Sequence, residues 1–371
     1  PRVASPRQTY AVLIYVCSSS HGFGHAARDA AVLQQLRLRR PDWTLVMSSM
    51  VEPRFLRLLL GDDSITIRAC RWDVGMVQAD ALGVDRSQTL AALSALETAL
   101  PDQLMGEVEW LRAQADSVLI FGDIPPAAAE LADRVDAPLV WMSNFGWDDI
   151  YRPLGGPFER WADAALAQYK RGQLLLRCPF DLSMNWGLQE LALGLVCTRP
   201  RPLPSDWERA MRSLDQSLVL VGFGGLGLQL DPELFLRWPR HHFLMASPAQ
   251  AVQALALQQV PNLTLLPGSV RPIDAFPLCS RQLGKPGFST FCEALDQGVG
   301  LHVVERRDFA EAAALMTGLR RHGDHRVLTR DQLERGDWQL NLSLNAPESG
   351  PLPHDGAQRA AEALIALAEA R

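Results

Sequence analysis

The apolar run Tyr10-Ala11-Val12-Leu13-Ile14-Tyr15-Val16-Cys17 passes directly into Ser18-Ser19-Ser20-His21-Gly22-Phe23-Gly24-His25. A helical pattern follows, from about His25 to Arg39. A short, wholly apolar run bounded by glycines reads as a strand buried on both faces, and a helix directly after it is the first half of a βαβ unit. The two glycines let the backbone turn tightly and approach a ligand closely. In a doubly wound sheet, ligands collect at the carboxyl ends of strands, which is where this loop falls. A neutral imidazole there can take a proton from a hydroxyl group, so His25, at the start of the helix, and His21, within the loop, are both candidate bases. Gly22, Gly24 and Ala27 also fit a loose dinucleotide pattern, but no acid clearly ends the second strand near Met47.

The same alternation continues outward. Trp43–Met47, Ile65–Cys70, Val118–Phe121, Leu139–Met142 and Leu174–Arg177 read as strands, and Gln88–Gln114 as a helix broken near Pro101. The stretch CTRPRPLPSD, residues 197–206, holds three prolines and reads as a linker. Beyond it the pattern restarts, with Ser217–Phe223, His242–Met245, Leu263–Leu266 and Leu301–Val304 as strands and helices after Gly287 and Arg307. The expected fold class is α/β: two Rossmann-like doubly wound domains facing a central cleft. Their bounds are 1–196 and 207–354, joined by the linker at 197–206. A C-terminal helical segment, 355–371, can pack back on the N-terminal domain.

Composition narrows the function. Of 371 residues, 47% are hydrophobic and 21% charged, which excludes disorder as the main state. Lys and Arg number 36 against 42 Asp and Glu, and the net charge of −6 argues against a broad nucleic-acid surface. Six scattered cysteines with no CxxC pair suit a reduced, cytoplasmic protein without a structural zinc site. No membrane span or signal peptide is evident. Arg37, Arg39, Arg40, Arg54 and Arg57 among Leu and Phe could touch an anionic membrane, but surface helices packed on their own sheet explain them better.

Three further motifs carry chemistry. Gly222-Phe223-Gly224-Gly225-Leu226-Gly227 offers backbone N–H groups to a phosphate at the equivalent point of the second half. Gly284-Lys285-Pro286-Gly287-Phe288-Ser289-Thr290 leads into a helix whose hydroxyls and first-turn N–H groups suit a diphosphate. Glu293 follows one turn later and can accept from ribose hydroxyls; Thr290 and Glu293 also fit an ordinary capping box. After the strand Leu301–Val304, Asp308 or Glu311 could meet sugar hydroxyls, or simply complement a helix dipole. In the first half, Asp73–Asp80 and Asn144-Phe145-Gly146-Trp147-Asp148-Asp149 are polar-aromatic loops, and Asp123 ends a strand. Phe23, Gln78, Asp80, Asn144, Trp147 and Asp148 form the candidate acceptor side.

The third and fourth motifs together resemble the nucleotide-sugar site of GT-B fold glycosyltransferases. That resemblance implies a UDP-sugar held mainly by the C-terminal domain. Gly225, Ser289 and Thr290 would lie at the diphosphate, Glu293 at the ribose, and Asp308 or Glu311 at the sugar. Gly24, Gly224, Gly268, Lys285 and Gly287 join this donor-binding set. A closer resemblance, across most of the chain, is to the glycosyltransferase-like N-terminal region of the L-arabinokinases. It rests on His21–Ala26 with Arg28, Val77–Leu82 with Val84-Asp85-Arg86, Val108–Leu111, Asn144-Phe145 with Trp147-Asp148, and Arg306-Arg307-Asp308. No glycine-serine-rich ATP loop follows, so the kinase half is absent and sugar-kinase activity is not expected.

Many inverting members carry the catalytic His in a Gly-His pair after the first strand. Gly24-His25 fits, which points to His25 as base, with His21 competing. Arg28 replaces the proline common three residues later, and Gly300 stands where many members have proline. The expected activity is transfer of a hexose or pentose from a UDP-sugar to a hydroxyl acceptor of unknown identity, with Asp123 or Asp148 orienting the acceptor or the imidazolium. No Asp-x-Asp motif occurs, so no metal and no cofactor beyond the UDP-sugar substrate are expected. Two rival readings are a noncatalytic nucleotide-sugar-binding module and a nucleotide-sugar epimerase of the same fold.

Overall fold

A computed structural model describes residues 12–77, 83–223, 230–248, 250–306 and 309–370. The N-terminal sheet has seven parallel strands: β1 Val12–Ser18, β2 Thr44–Ser48, β3 Thr66–Arg68, β4 Ser117–Asp123, β5 Leu139–Ser143, β6 Leu174–Arg177 and β7 Gln189–Ala192. Their order is β3-β2-β1-β4-β5-β6-β7. The C-terminal sheet has six: β8 Ser217–Gly222, β9 His241–Met245, β10 Leu263–Leu265, β11 Arg281–Gly284, β12 Gly300–Val304 and β13 His325–Leu328. Their order is β10-β9-β8-β11-β12-β13, again parallel throughout. Chain direction along each sheet reverses between β1 and β4, and between β8 and β11. Those two switch points are where a doubly wound sheet leaves a crevice.

All seven residues of β1 are buried. Its period of two divides them: Val12, Ile14 and Val16 face one core, while Leu13, Tyr15 and Cys17 face the other. The first core is closed by two helices, Gly24–Arg39 and Gly356–Glu369, which pack against each other through Ala30, Leu33, Ala357, Ala360 and Leu364. The C-terminal segment therefore returns to the N-terminal domain, where Glu362 and Glu369 meet Arg39 and Arg40.

Several elements differ from the sequence expectation. The helix Arg86–Gln114 runs unbroken through Pro101. Proline removes one hydrogen bond there, but Asp85 caps the helix start and the buried Leu104, Val108 and Leu111 anchor its second half. Strands β7, β11 and β13 escape the apolar-run criterion, because Gln189-Glu190-Leu191-Ala192, Arg281-Gln282-Leu283-Gly284 and His325-Arg326-Val327-Leu328 are half polar. Their pairing comes from neighbours rather than from local pattern. The helix Ser205–Arg212 begins inside the expected linker. The remaining linker is tied to both domains. Arg201 donates to the carbonyls of Leu58 (2.7 Å) and Leu59 (2.9 Å), and its N–H donates to Asp274 (2.7 Å). Among the described residues, no helix is long and apolar enough to cross a membrane.

Candidate active site

The site is built where β1 and β4 end side by side, Ser18 being the register partner of Asp123. After β1 the loop turns at Gly22, whose φ of 78° favours glycine, and the next helix starts at Gly24. His25 and Arg28, three residues apart on one helical face, then both reach Asp123. His25 Nδ1 lies 2.9 Å from Asp123 Oδ1. Arg28 Nε donates to Asp123 Oδ2 at 2.6 Å, and its Nη2 pairs with Oδ1. Arg28 Nη1 donates to Asn144 Oδ1 at 2.7 Å, and Phe288 of the other domain covers the guanidinium.

These groups are dry: His25 is 6% exposed, Arg28 2% and Asp123 0%. Burial alone would raise the Asp123 carboxyl, but the Arg28 guanidinium, with His25, overrides it and holds the group well below the usual carboxylate range. An ionised carboxylate only accepts, so Nδ1 of His25 carries the ring proton and Nε2 keeps a lone pair. Arg28 Nη2, 3.1 Å from the same Nδ1, places a cation beside the imidazole.

His21 is held differently. Its Nδ1 accepts the Met76 N–H at 3.3 Å, and its ring packs on Trp147 and Phe309. Burial, followed by the charges of His25, Arg306 and Lys285, lowers it to about 3, so it stays neutral. A Cβ at Gly75 would fall 2.5 Å from that ring, which requires glycine there. Trp147 is buried, with Nε1 donating to Asp73 Oδ2 at 2.9 Å. Asp148 is buried against Trp186 and is pushed up to about 6, by burial and then by Asp149. Phe23 is exposed and packs on Phe55. Gln78 and Asp80 lie outside the described residues.

The C-terminal face presents β11, which ends at Gly284, and the helix Phe288–Asp296. Gly287 caps that helix without a side-chain hydrogen bond, so the capping box of Thr290 and Glu293 does not form. Ser289 Oγ instead donates across the cleft to the Gly24 carbonyl at 2.7 Å. Lys285 is half-buried and lowered to about 8, by burial and then by Arg306. Burial raises Glu293 to about 8; Arg271 opposes that shift and Asp274 adds to it. Glu311 accepts from Asn144 Nδ2 at 2.9 Å, a second bond between the domains. Gly268 sits exposed in the loop after β10. Gly224, Gly225 and Asp308 lie outside the described residues.

The structure thus brings together His25, Asp123, Gly24, Ser289, Asn144 and Glu311. Three contributors escaped the sequence reading. Arg28 stood as part of a family resemblance and as a departure from a proline, with no role of its own. Asp73 was one residue of a loop. Phe309, from the C-terminal half, packs with His21 and Phe145 in the N-terminal core. Only Arg28 carried a local signal, an arginine on the His25 face of the helix. Among the described residues no group of three or more His, Cys, Asp or Glu is placed to hold a metal ion.

Two parallel α/β sheets with facing switch points define the GT-B fold of UDP-glycosyltransferases. Solved structures of that fold superpose over nearly the whole chain. UGT89C1 of Arabidopsis thaliana, complexed with UDP-L-rhamnose, covers 97% of this chain and 99% of its own, at TM-score 0.59 and 14% identity. A UDP-glucosyltransferase from Polygonum tinctorium capable of glucosylating indoxyl covers 97% and 94%, at TM-score 0.60 and 16% identity. In sequence, the chain is 29% identical over 333 residues to L-arabinokinase of Arabidopsis thaliana, a match spanning 86% of this chain. The chain covers 31% of that protein's length. No family model matches the sequence.

Proposed function

We propose that this chain is a glycosyltransferase that moves a sugar from a UDP-sugar to a hydroxyl acceptor, with His25 as general base and without a metal. The observation that carries the reading is the buried His25–Asp123 pair at one switch point, facing the start of the helix Phe288–Asp296 at the other. Nε2 of His25 takes the acceptor proton, and Asp123 steadies the imidazolium that forms. The acceptor oxygen then displaces UDP at the anomeric carbon. The departing diphosphate gathers negative charge, which the first-turn N–H groups, the Thr290 hydroxyl and Lys285 stabilise, with Ser289 joining them once its hydroxyl turns away from the Gly24 carbonyl. Glu293 accepts from the ribose, and Glu311 with Asn144 borders the sugar. Support comes also from neighbours of the same fold solved with UDP or a UDP-sugar.

A second reading, a noncatalytic nucleotide-sugar-binding module, is favoured by one contact. Arg28 beside His25 Nδ1 opposes the positive charge that a base must acquire. Assay of the purified chain against a UDP-sugar panel, reading both transfer and donor hydrolysis, separates the two. Transfer by the wild type and a fall of 10²-fold or more in His25→Ala are expected. Turnover unchanged in His25→Ala removes the base assignment. UDP binding without turnover establishes the module, and absence of a UDP-induced thermal shift removes both readings.

A further inference from the structure

Beside the His25–Asp123 pair lies a second carboxyl group that the transfer mechanism leaves unused. Asp29 follows His25 by four residues in the helix Gly24–Arg39, so His25, Arg28 and Asp29 share one helical face. The sheet supplies the opposite side of the cluster. Ser18 continues the face of Val12, Ile14 and Val16, which looks toward this helix, and Asp123 is its register partner. Ser18 is 1% exposed and Asp29 0%. Burial pushes the nearby Cys17 and Cys178 thiols up, so both stay uncharged.

As a carboxylate, Asp29 would have no hydrogen-bond donor on either oxygen among the described residues, and the buried Ser18 Oγ is likewise unpartnered. Arg28, the preceding residue, directs its hydrogen bonds to Asp123, Asn144 and Ser143. The charges of Arg28 and Asp123 already cancel, so an ionised Asp29 would add a net negative charge where water does not reach it. A buried carboxyl so placed keeps its proton and becomes a donor as well as an acceptor. Ser18 and Asp123 lie within side-chain hydrogen-bonding reach of it. Burial and then the Asp123 charge push the Asp29 carboxyl up, against the opposing pull of Ser18 and Arg28.

We infer that Asp29 is a positioning residue, held as a neutral carboxylic acid that accepts from the Ser18 hydroxyl and donates its own proton to Asp123. That arrangement satisfies all three unpartnered atoms at once. On Asp123, Oδ1 already serves His25 and Arg28 Nη2, while Oδ2 serves Arg28 Nε, so Oδ2 has the freer lone pair and takes the Asp29 proton. The added hydrogen bond fixes the plane of the carboxylate, which keeps Oδ1 on His25 Nδ1. It also draws charge away from Oδ1 and so moderates the basicity of the imidazole. Asp29 therefore sets how readily His25 takes a proton without itself touching substrate. Its bearing on catalysis rests on His25 acting as the base; its protonation state does not.

The test is NMR titration of the full chain without substrate, labelled at the aspartate carboxyl carbons and the histidine rings, in the wild type, Asp29→Asn and Asp29→Ala. The wild-type Asp29 carboxyl carbon is expected to hold its protonated position from about pH 5 to about pH 8, far above the ordinary aspartate range. Asparagine reproduces one donor and one acceptor, so Asp29→Asn should leave the His25 midpoint within about 0.3 pH unit of the wild type. Asp29→Ala removes the donor and should raise that midpoint by about 0.5–1 pH unit. The wild-type carboxyl signal and Asp29→Asn decide the matter should Asp29→Ala fail to fold. Three results overturn the proposal: an Asp29 carbon ionised within that range, a His25 midpoint that falls in Asp29→Asn as loss of a negative charge would make it, or a midpoint unmoved in a folded Asp29→Ala. Where UDP-sugar transfer is measured, the acid limb of kcat should move up with the Asp29→Ala midpoint. A chain that transfers nothing fails the transfer reading alone, since the titrations need no turnover.

Discussion

Arg28 shows how one side chain can redefine a site. It lies beneath His25, fixes both oxygens of Asp123, reaches Asn144 and stacks on Phe288 from the other domain. Removing one partner of a buried ion pair leaves an uncompensated charge, so Arg28→Met should cost about 3–5 kcal/mol in urea unfolding at pH 7. The double variant Arg28→Met/Asp123→Asn should recover much of that loss, because no buried charge remains. Asp123 is depressed below its ordinary 3.8, so its stabilisation is present above that pH and disappears as pH falls through the folded value. Glu293 runs the opposite way. Its folded value of about 8 lies above the ordinary 4.5, so between those limits the unfolded chain gives up its proton first and stability falls as pH rises. Glu293→Gln should therefore match the wild type at pH 4 and exceed it at pH 8 by on the order of 1–3 kcal/mol, read as the denaturation midpoint. His25 and Asp123 were both legible as strand-end residues. Their partnership with Arg28 was not, because Asp123 is 95 residues away from Arg28 in sequence.

At the scale of elements, the strongly apolar strands were readable and the polar ones were not. β1, β5 and β12 announce themselves because both faces are buried. β11 does not, since Arg281 and Gln282 interrupt the apolar pattern of a strand that is nonetheless paired on both sides. The helix Arg86–Gln114 is the clearest conflict between local rule and outcome. Proline there acts against an otherwise continuous helix, and its side chain is exposed. Pro101→Ala should therefore stabilise the protein, by up to about 3 kcal/mol in thermal unfolding, with no change in the spectrum of the folded state.

For the whole molecule, a few specific contacts join the two sheets. Ser289 with Gly24, Asn144 with Glu311, and Phe309 among His21 and Phe145 close the cleft. The terminal helix Gly356–Glu369 lies on the N-terminal domain although it follows the C-terminal one, so the chain crosses between domains twice. Leu364 is fully buried in that contact. Leu364→Ala should cost about 2–5 kcal/mol and lower the melting temperature of the N-terminal domain, checked by hydrogen exchange in the helix Gly24–Arg39. Sequence by itself determined the α/β class, the two halves, and the glycine-bearing strand end after β1, because burial on both faces and tight turns leave local marks in residue type. Tertiary structure alone decided which residues share the cleft, the proton position on His25 and the cation beside it. Those depend on sheet order and domain closure, which join residues too distant along the chain for any local pattern to record.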